Sequence, residues 1–244
     1  MSQAFRQQSR SLKVWDGPTR LFHWTLVVVI AAAFVSAEED SPLSDWHQPA
    51  GWTAAILVVF RIVWGMVGGE HSRFADFLAP KRIAGHVRAM LAGRAQSDVG
   101  HNPLGAVAVV ALLALVAGSA ATGALIVAGR SGDDLHEAVA NSLLGMIALH
   151  VSAVTVMSLM SRDTLVRAMV TGRKKAALHA GVRDARPAPA YALPLAALCM
   201  AAAAYGATLV DPQAFTPHQR AEASGHERGE SVDIAGHEVE DDDD

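Results

Sequence analysis

Five long apolar runs, at about 21–37, 47–67, 103–128, 136–160 and 190–210, limit what this chain can fold into more than any other feature. Each is near the roughly 20 residues that a helix needs to cross the hydrocarbon core of a bilayer. Backbone groups in hydrocarbon find no water, so each run has to bond its own backbone internally, which a helix does. Composition agrees, since 51% hydrophobic and 18% charged residues over 244 positions is too apolar for an ordinary soluble domain. The expectation is an all-α integral membrane bundle. The first run follows basic residues and ends in Val35-Ser36-Ala37, which imitates a signal peptide with its cleavage site. The long leader before it, and His23 and Trp24 within it, favour a retained helix.

Lys and Arg residues are retained in short cytoplasmic connections, so their distribution orients the bundle. Sixteen of them fall in the N-terminal arm, the second connection and the fourth. The first connection has none and carries Glu38, Glu39, Asp40 and Asp45; the third has only Arg130, and the tail only Arg220 and Arg228. The N-terminus is therefore expected in the cytoplasm and the C-terminus outside.

An ionisable side chain at membrane depth is costly and marks a functional candidate. His136 and His150 lie fourteen residues apart in the fourth run, which returns a helix to nearly the same face about 21 Å further along. No single metal ion spans that distance with ligands about 2 Å away, so two sites are implied. Each has a partner at matching depth: His23, at the cytoplasmic start of the first helix, is level with His150, and His47, at the outer start of the second, is level with His136. Two imidazoles facing across a gap suit bis-histidine haem ligation, in which the axial positions are filled and the iron transfers electrons. Arg61 repeats the fourteen-residue spacing from His47, and a propionate of the inner haem would answer its charge. Gly51 and Ala140, one turn from a ligand each, leave room for a flat macrocycle.

His71, His86 and His101 fall in or beside the basic second connection and read as solvated or headgroup residues. Trp15, Trp24, Trp46, Trp52 and Trp64, near helix ends, read first as interfacial anchors. Cys199 stands alone, which allows neither an intrachain disulfide nor a Cys-x-x-Cys-His haem attachment, so any haem is held without covalent bonds. There is no glycine-rich phosphate loop, nucleophile elbow or metalloprotease helix motif. Catalysis beyond electron transfer has no visible machinery.

The chain resembles the bacterial di-haem cytochromes b of the cytochrome b561 type, which include the cytochrome b subunits of nickel-iron hydrogenases. The resemblance covers about residues 14–175. It rests on Val14-Trp15-Asp16-Gly17-Pro18-Thr19-Arg20-Leu21-Phe22-His23-Trp24, on Trp46-His47-Gln48-Pro49-Ala50-Gly51-Trp52 followed by Phe60-Arg61-Ile62-Val63-Trp64-Gly65, and on Arg73-Phe74-Ala75-Asp76-Phe77. It rests further on Gly100-His101-Asn102-Pro103-Leu104-Gly105, on Leu135-His136-Glu137 through Leu149-His150, and on Leu165-Val166-Arg167-Ala168-Met169-Val170-Thr171-Gly172-Arg173-Lys174. The resemblance implies His23, His47, His136 and His150 as axial ligands of two haem b groups, the set that helix geometry selects independently. It also implies a bacterial inner-membrane protein exchanging electrons between a quinone pool and a redox partner, either a hydrogenase or dehydrogenase subunit or a c-type cytochrome. A quinone is a further expected ligand, with the Gly100-His101-Asn102 turn or Arg61 as candidate lining. No nucleic-acid partner is expected.

The expected organisation is a four-helix di-haem core at 1–175, a basic cytoplasmic link at 176–189, a fifth transmembrane helix at 190–210 and a disordered tail at 211–244. The tail carries eleven acidic residues and also His218, His226 and His237. It reads first as solvated, with docking of a basic periplasmic electron carrier as the functional alternative. A reading from another class makes the chain an ion or metal transporter that conducts along Arg61 and the helix histidines. A third makes it a membrane anchor whose haems are incidental.

Overall fold

A computed structural model of the chain describes residues 11–38, 40–78, 88, 103–130, 132–161, 165–175 and 183–217. Helix α1 (Gly17–Val35) starts four residues ahead of the apolar run, because Asp16 caps it: Oδ1 accepts the Thr19 backbone N–H at 2.8 Å, with a proline in the first turn. A short 3-10 turn (Ser44–Trp46) leads directly into α2 (His47–Val67). Then come the single turn α3 (Phe74–Phe77), the long helices α4 (Pro103–Val127) and α5 (Asp133–Ser161), the short α6 (Leu165–Thr171) and α7 (Ala192–Val210). Strand β1 (Ser11–Lys13) pairs antiparallel with β2 (Arg173–Lys175), Leu12 opposite Lys174. Among the described residues five helices, α1, α2, α4, α5 and α7, are long and apolar enough to cross a membrane. They agree with the five expected spans to within a few residues.

Helix α2 is the hub, packing on α1, α4 and α7, while α5 packs mainly along α4. In their apolar windows 44% of α2 is buried in the protein, against 6% of α5, so α5 lies at the periphery of the bundle. One side of α2 presents Leu57, Phe60, Val63 and Trp64 to Phe22 of α1 and to Ala192 and Ala196 of α7. Both alanines are fully buried, and their small side chains let α7 approach closely. Phe60 stacks between Phe22 and Trp64, with ring centres 5.8 and 5.6 Å away. The other side of α2 places Ala54 and Val58 against Val116 of α4 and Leu143 of α5. Lipid is as apolar as these side chains, so van der Waals fit rather than water exclusion holds the helices together.

Hydrogen bonds fasten the two ends. At the basic end, the carbonyl of Gly172 accepts the N–H groups of Val14 and Trp15 at 2.9 and 3.1 Å, over a small core of Leu12, Val14, Trp15 and Ala168. Gly172 has φ +77°, and a Cβ there would lie 2.8 Å from the Trp15 carbonyl oxygen, so the contact requires glycine. The last part of the link returns to this end: the Ala185 N–H donates to the Lys13 carbonyl at 3.0 Å, and Arg183 grips Glu70 through Nη1 at 3.1 Å and Nη2 at 2.8 Å. At the acidic end, the Trp52 indole N–H donates to Asp211 at 2.9 Å.

Two expectations change. Trp15 and Trp64 are buried, at 6% and 2% exposed, because one lies under the strand pair and the other inside the α1–α2–α7 core; Trp24 and Trp46 remain exposed. Asp211 and Ala214 are also buried, so packing runs past the 210/211 boundary that composition suggested. His86, the Gly100-His101-Asn102 turn, residues 176–182 of the link, and the tail from His218 on, with His226 and His237, lie outside the described residues.

Candidate functional site

His47 is the first residue of α2 and stands beside the last turn of α1. Carbonyls in a helix's last turn lack regular N–H partners. Ala33 is such a case, because the Ala37 N–H that would reach it bonds to Phe34 instead. His47 Nδ1 lies 2.9 Å from the Ala33 carbonyl oxygen. A carbonyl only accepts, so Nδ1 carries the proton and Nε2 keeps a free lone pair.

His136 lies in the first turn of α5, with Nδ1 2.9 Å from Thr122 Oγ1 on α4. The Thr122 hydroxyl has one proton, which it shares between the carbonyls of Gly118 at 2.9 Å and Ser119 at 3.0 Å. Toward His136 it therefore accepts, and this imidazole too is protonated at Nδ1 and free at Nε2. The His47 and His136 rings face each other across the bundle, centres 6.0 Å apart and planes at 90°. A metal–nitrogen bond of about 2 Å plus about 1 Å from nitrogen to ring centre, taken on both sides, separates two imidazoles on one metal by roughly 6 Å.

The second pair lies toward the basic end. His23 is one turn beyond Thr19 on α1, edge-on to Trp24 at 5.1 Å, with its Nδ1 buried and without a hydrogen-bond partner among the described residues. His150 on α5 is within electrostatic reach of it. Between the two pairs stands an apolar layer of Ala54, Val58, Val116 and Leu143. Leu143, 3% exposed, is seven residues from both His136 and His150, so it holds the level midway between the pairs.

These surroundings fit a planar macrocycle better than a bare ion. Nothing lies within 4 Å of where a Cβ at Gly51 would stand, one turn from His47. Among the described residues no three His, Cys, Asp or Glu side chains gather. A protein-held ion such as zinc takes four ligands, whereas an iron that gets its equatorial ligands from a porphyrin asks the protein for only two.

Arg61 is 3% exposed and stands in a polar network at the basic end. Its Nη1 donates to the Ser72 carbonyl at 3.0 Å, and its guanidinium carbon lies 4.7 Å from the centre of the Phe74 ring. Phe74 can lie there because Gly65 has no side chain; a Cβ would overlap the ring. Ser72 Oγ donates to Asp16 Oδ2 at 3.0 Å, so at 2.7 Å it accepts from Thr19 Oγ1. Asp16 Oδ2 also receives the Trp64 indole N–H at 3.1 Å. Sequence reasoning singled out Arg61 and all four histidines but missed Asp16, Thr19 and Ser72 around Arg61, and Ala33 and Thr122 behind His47 and His136. Asp16 was signalled by Asp-Gly-Pro-Thr, an N-cap residue followed by proline. A lone threonine and a backbone carbonyl carry no comparable sequence mark.

A family model described as prokaryotic cytochrome b561 matches residues 14–172. No curated protein and no solved structure matches the chain.

Proposed function

Since the chain belongs to the prokaryotic cytochrome b561 family, whose members are transmembrane haem b electron-transfer proteins, we propose that it carries electrons across a bacterial membrane through two haems. His47 and His136 ligate one, and His23 and His150 the other. The observation that carries this reading is the facing pair His47 and His136, 6.0 Å apart, with both Nδ1 atoms engaged elsewhere and both Nε2 atoms free. Haem held by these histidines would supply a one-electron iron couple. The chain's own residues do the rest. Ala33 and Thr122 hold the imidazoles in one tautomer, the apolar layer keeps water out between the sites, and Asp16, Thr19 and Ser72 fix the helix ends beside His23. Arg61, tied through Nη1, has further N–H groups to offer a propionate of the haem at the basic end.

The basic end faces the cytoplasm, following the distribution of Lys and Arg. The functional core is residues 1–175, followed by the 176–189 link, the 190–210 helix and the 211–244 tail. Quinone exchanges electrons beside the basic-end haem, with Arg61 as candidate lining. A hydrogenase or dehydrogenase subunit, or a basic c-type cytochrome steered by the acidic tail, meets the other end. The apolar layer speaks against the transporter reading, because it breaks polar continuity between the two histidine pairs.

The test uses vesicles loaded with ferricyanide and supplied outside with a reductant that does not cross lipid. With the haem-loaded protein in the membrane, the internal ferricyanide is reduced, and the His136→Ala protein does not support this. A wild-type rate no greater than that of protein-free vesicles would overturn the proposal, and an unchanged rate in His136→Ala would support the anchor reading.

A further inference from the structure

The two histidine pairs differ in what stands behind them. In the acidic-end pair, His47 donates Nδ1–H to the Ala33 carbonyl and His136 donates Nδ1–H to the Thr122 hydroxyl. In the basic-end pair, His23 Nδ1 is buried and has no hydrogen-bond partner among the described residues. An imidazole that donates its outer N–H to a fixed acceptor is the more basic ligand and favours the higher charge on the metal. Ligand basicity and hydrogen bonding are among the levers by which a protein sets a haem potential.

We propose that Thr122 is a positioning residue that strengthens His136 as a ligand and makes the iron of the His47/His136 pair the lower-potential one of the two. The inference rests on the di-haem reading above and adds a direction to it. With haem bound to both pairs, the acidic-end site would be the electron donor and the basic-end site the acceptor of a one-electron transfer that requires no proton.

Thr122 suits the role because its hydroxyl proton is already given to the carbonyls one turn back on α4. The side chain is 8% exposed, so no water competes freely for its lone pairs. Valine has nearly the same shape and no acceptor oxygen, whereas serine keeps the oxygen.

A redox titration of the haem-loaded protein, followed by its absorption bands in detergent, tests this. The wild type is expected to show two midpoint potentials. Thr122→Val raises the lower one and leaves the upper where it was, with two haems still bound, and Thr122→Ser keeps both wild-type values. The His23→Ala protein, left with the acidic-end haem alone, titrates at the lower value. The inference is overturned if Thr122→Val moves neither potential or only the upper one, or if the haem surviving in His23→Ala titrates at the upper value. Should Thr122→Val lose its haem, the His23→Ala titration still decides the assignment. A wild-type protein that binds fewer than two haems overturns the di-haem reading itself, whatever Thr122 does.

Discussion

The carboxylate of Asp16 caps α1 with one oxygen and receives the Trp64 indole and the Ser72 hydroxyl with the other, so the start of α1 and the end of α2 are tied about two turns before His23. Removing it strands an indole N–H, an N-terminal amide and a hydroxyl at once. Asp16→Ala is expected to destabilise the protein by roughly 2–4 kcal/mol, the loss of a cap plus that of a buried acceptor. Asp16→Asn, which keeps one oxygen, should lose less. Thermal melting of the haem-loaded protein in detergent checks the order of the three. At this scale the candidate ligands stood out because histidine at membrane depth is rare and a fourteen-residue spacing repeats a helical face. Their supports did not: Thr122 meets His136 only because α4 and α5 form an antiparallel hairpin, and the Ala33 carbonyl, which the Ser36 hydroxyl also reaches at 3.2 Å, lacks its regular N–H partner only because α1 ends where it does.

The connections between helices carry more structure than their polarity suggested. The link before α7 was expected to be a basic tether, yet Arg183 makes a paired contact with Glu70, and the Arg186 N–H donates to the same carboxylate at 2.9 Å. Glu70 is held below its ordinary value, first by that backbone N–H, with the Arg183 hydrogen bond and charge adding to it against the cost of desolvation. A carboxylate lowered in this way stabilises the docked link at neutral pH, and the contribution is lost as pH falls through the folded-state value. Amide exchange at Arg186 is therefore expected to lose protection in acid, and Glu70→Gln should show the acid behaviour at neutral pH. Equal protection in both proteins at neutral pH would mean that the link docks without the carboxylate. Hydrophobic runs announce helices, whereas pairings such as Arg183 with Glu70 or β1 with β2 join residues more than a hundred positions apart and leave no periodic trace.

At the scale of the whole molecule, five apolar runs dictate five membrane-length helices, and the packing makes α2 the hub between α1, α4 and α7. The packing of Ala54 and Val58 of α2 near Leu143 of α5 was readable from the faces of the two helices. The side on which α7 docks was not, since a run of alanines fits against several partners, and here Phe22, Leu57, Phe60 and Trp64 receive it. The account as a whole turns on two irons, each held between histidines of two helices, with α5 serving both. The most direct measurement is the haem content per chain of the purified, dithionite-reduced protein and of its single histidine variants, read from the b-type absorption bands. Two haems in the wild type, and one each in His23→Ala and His47→Ala, are predicted. A single haem in the wild type, or the loss of both from His47→Ala in a protein that still folds, would contradict the account.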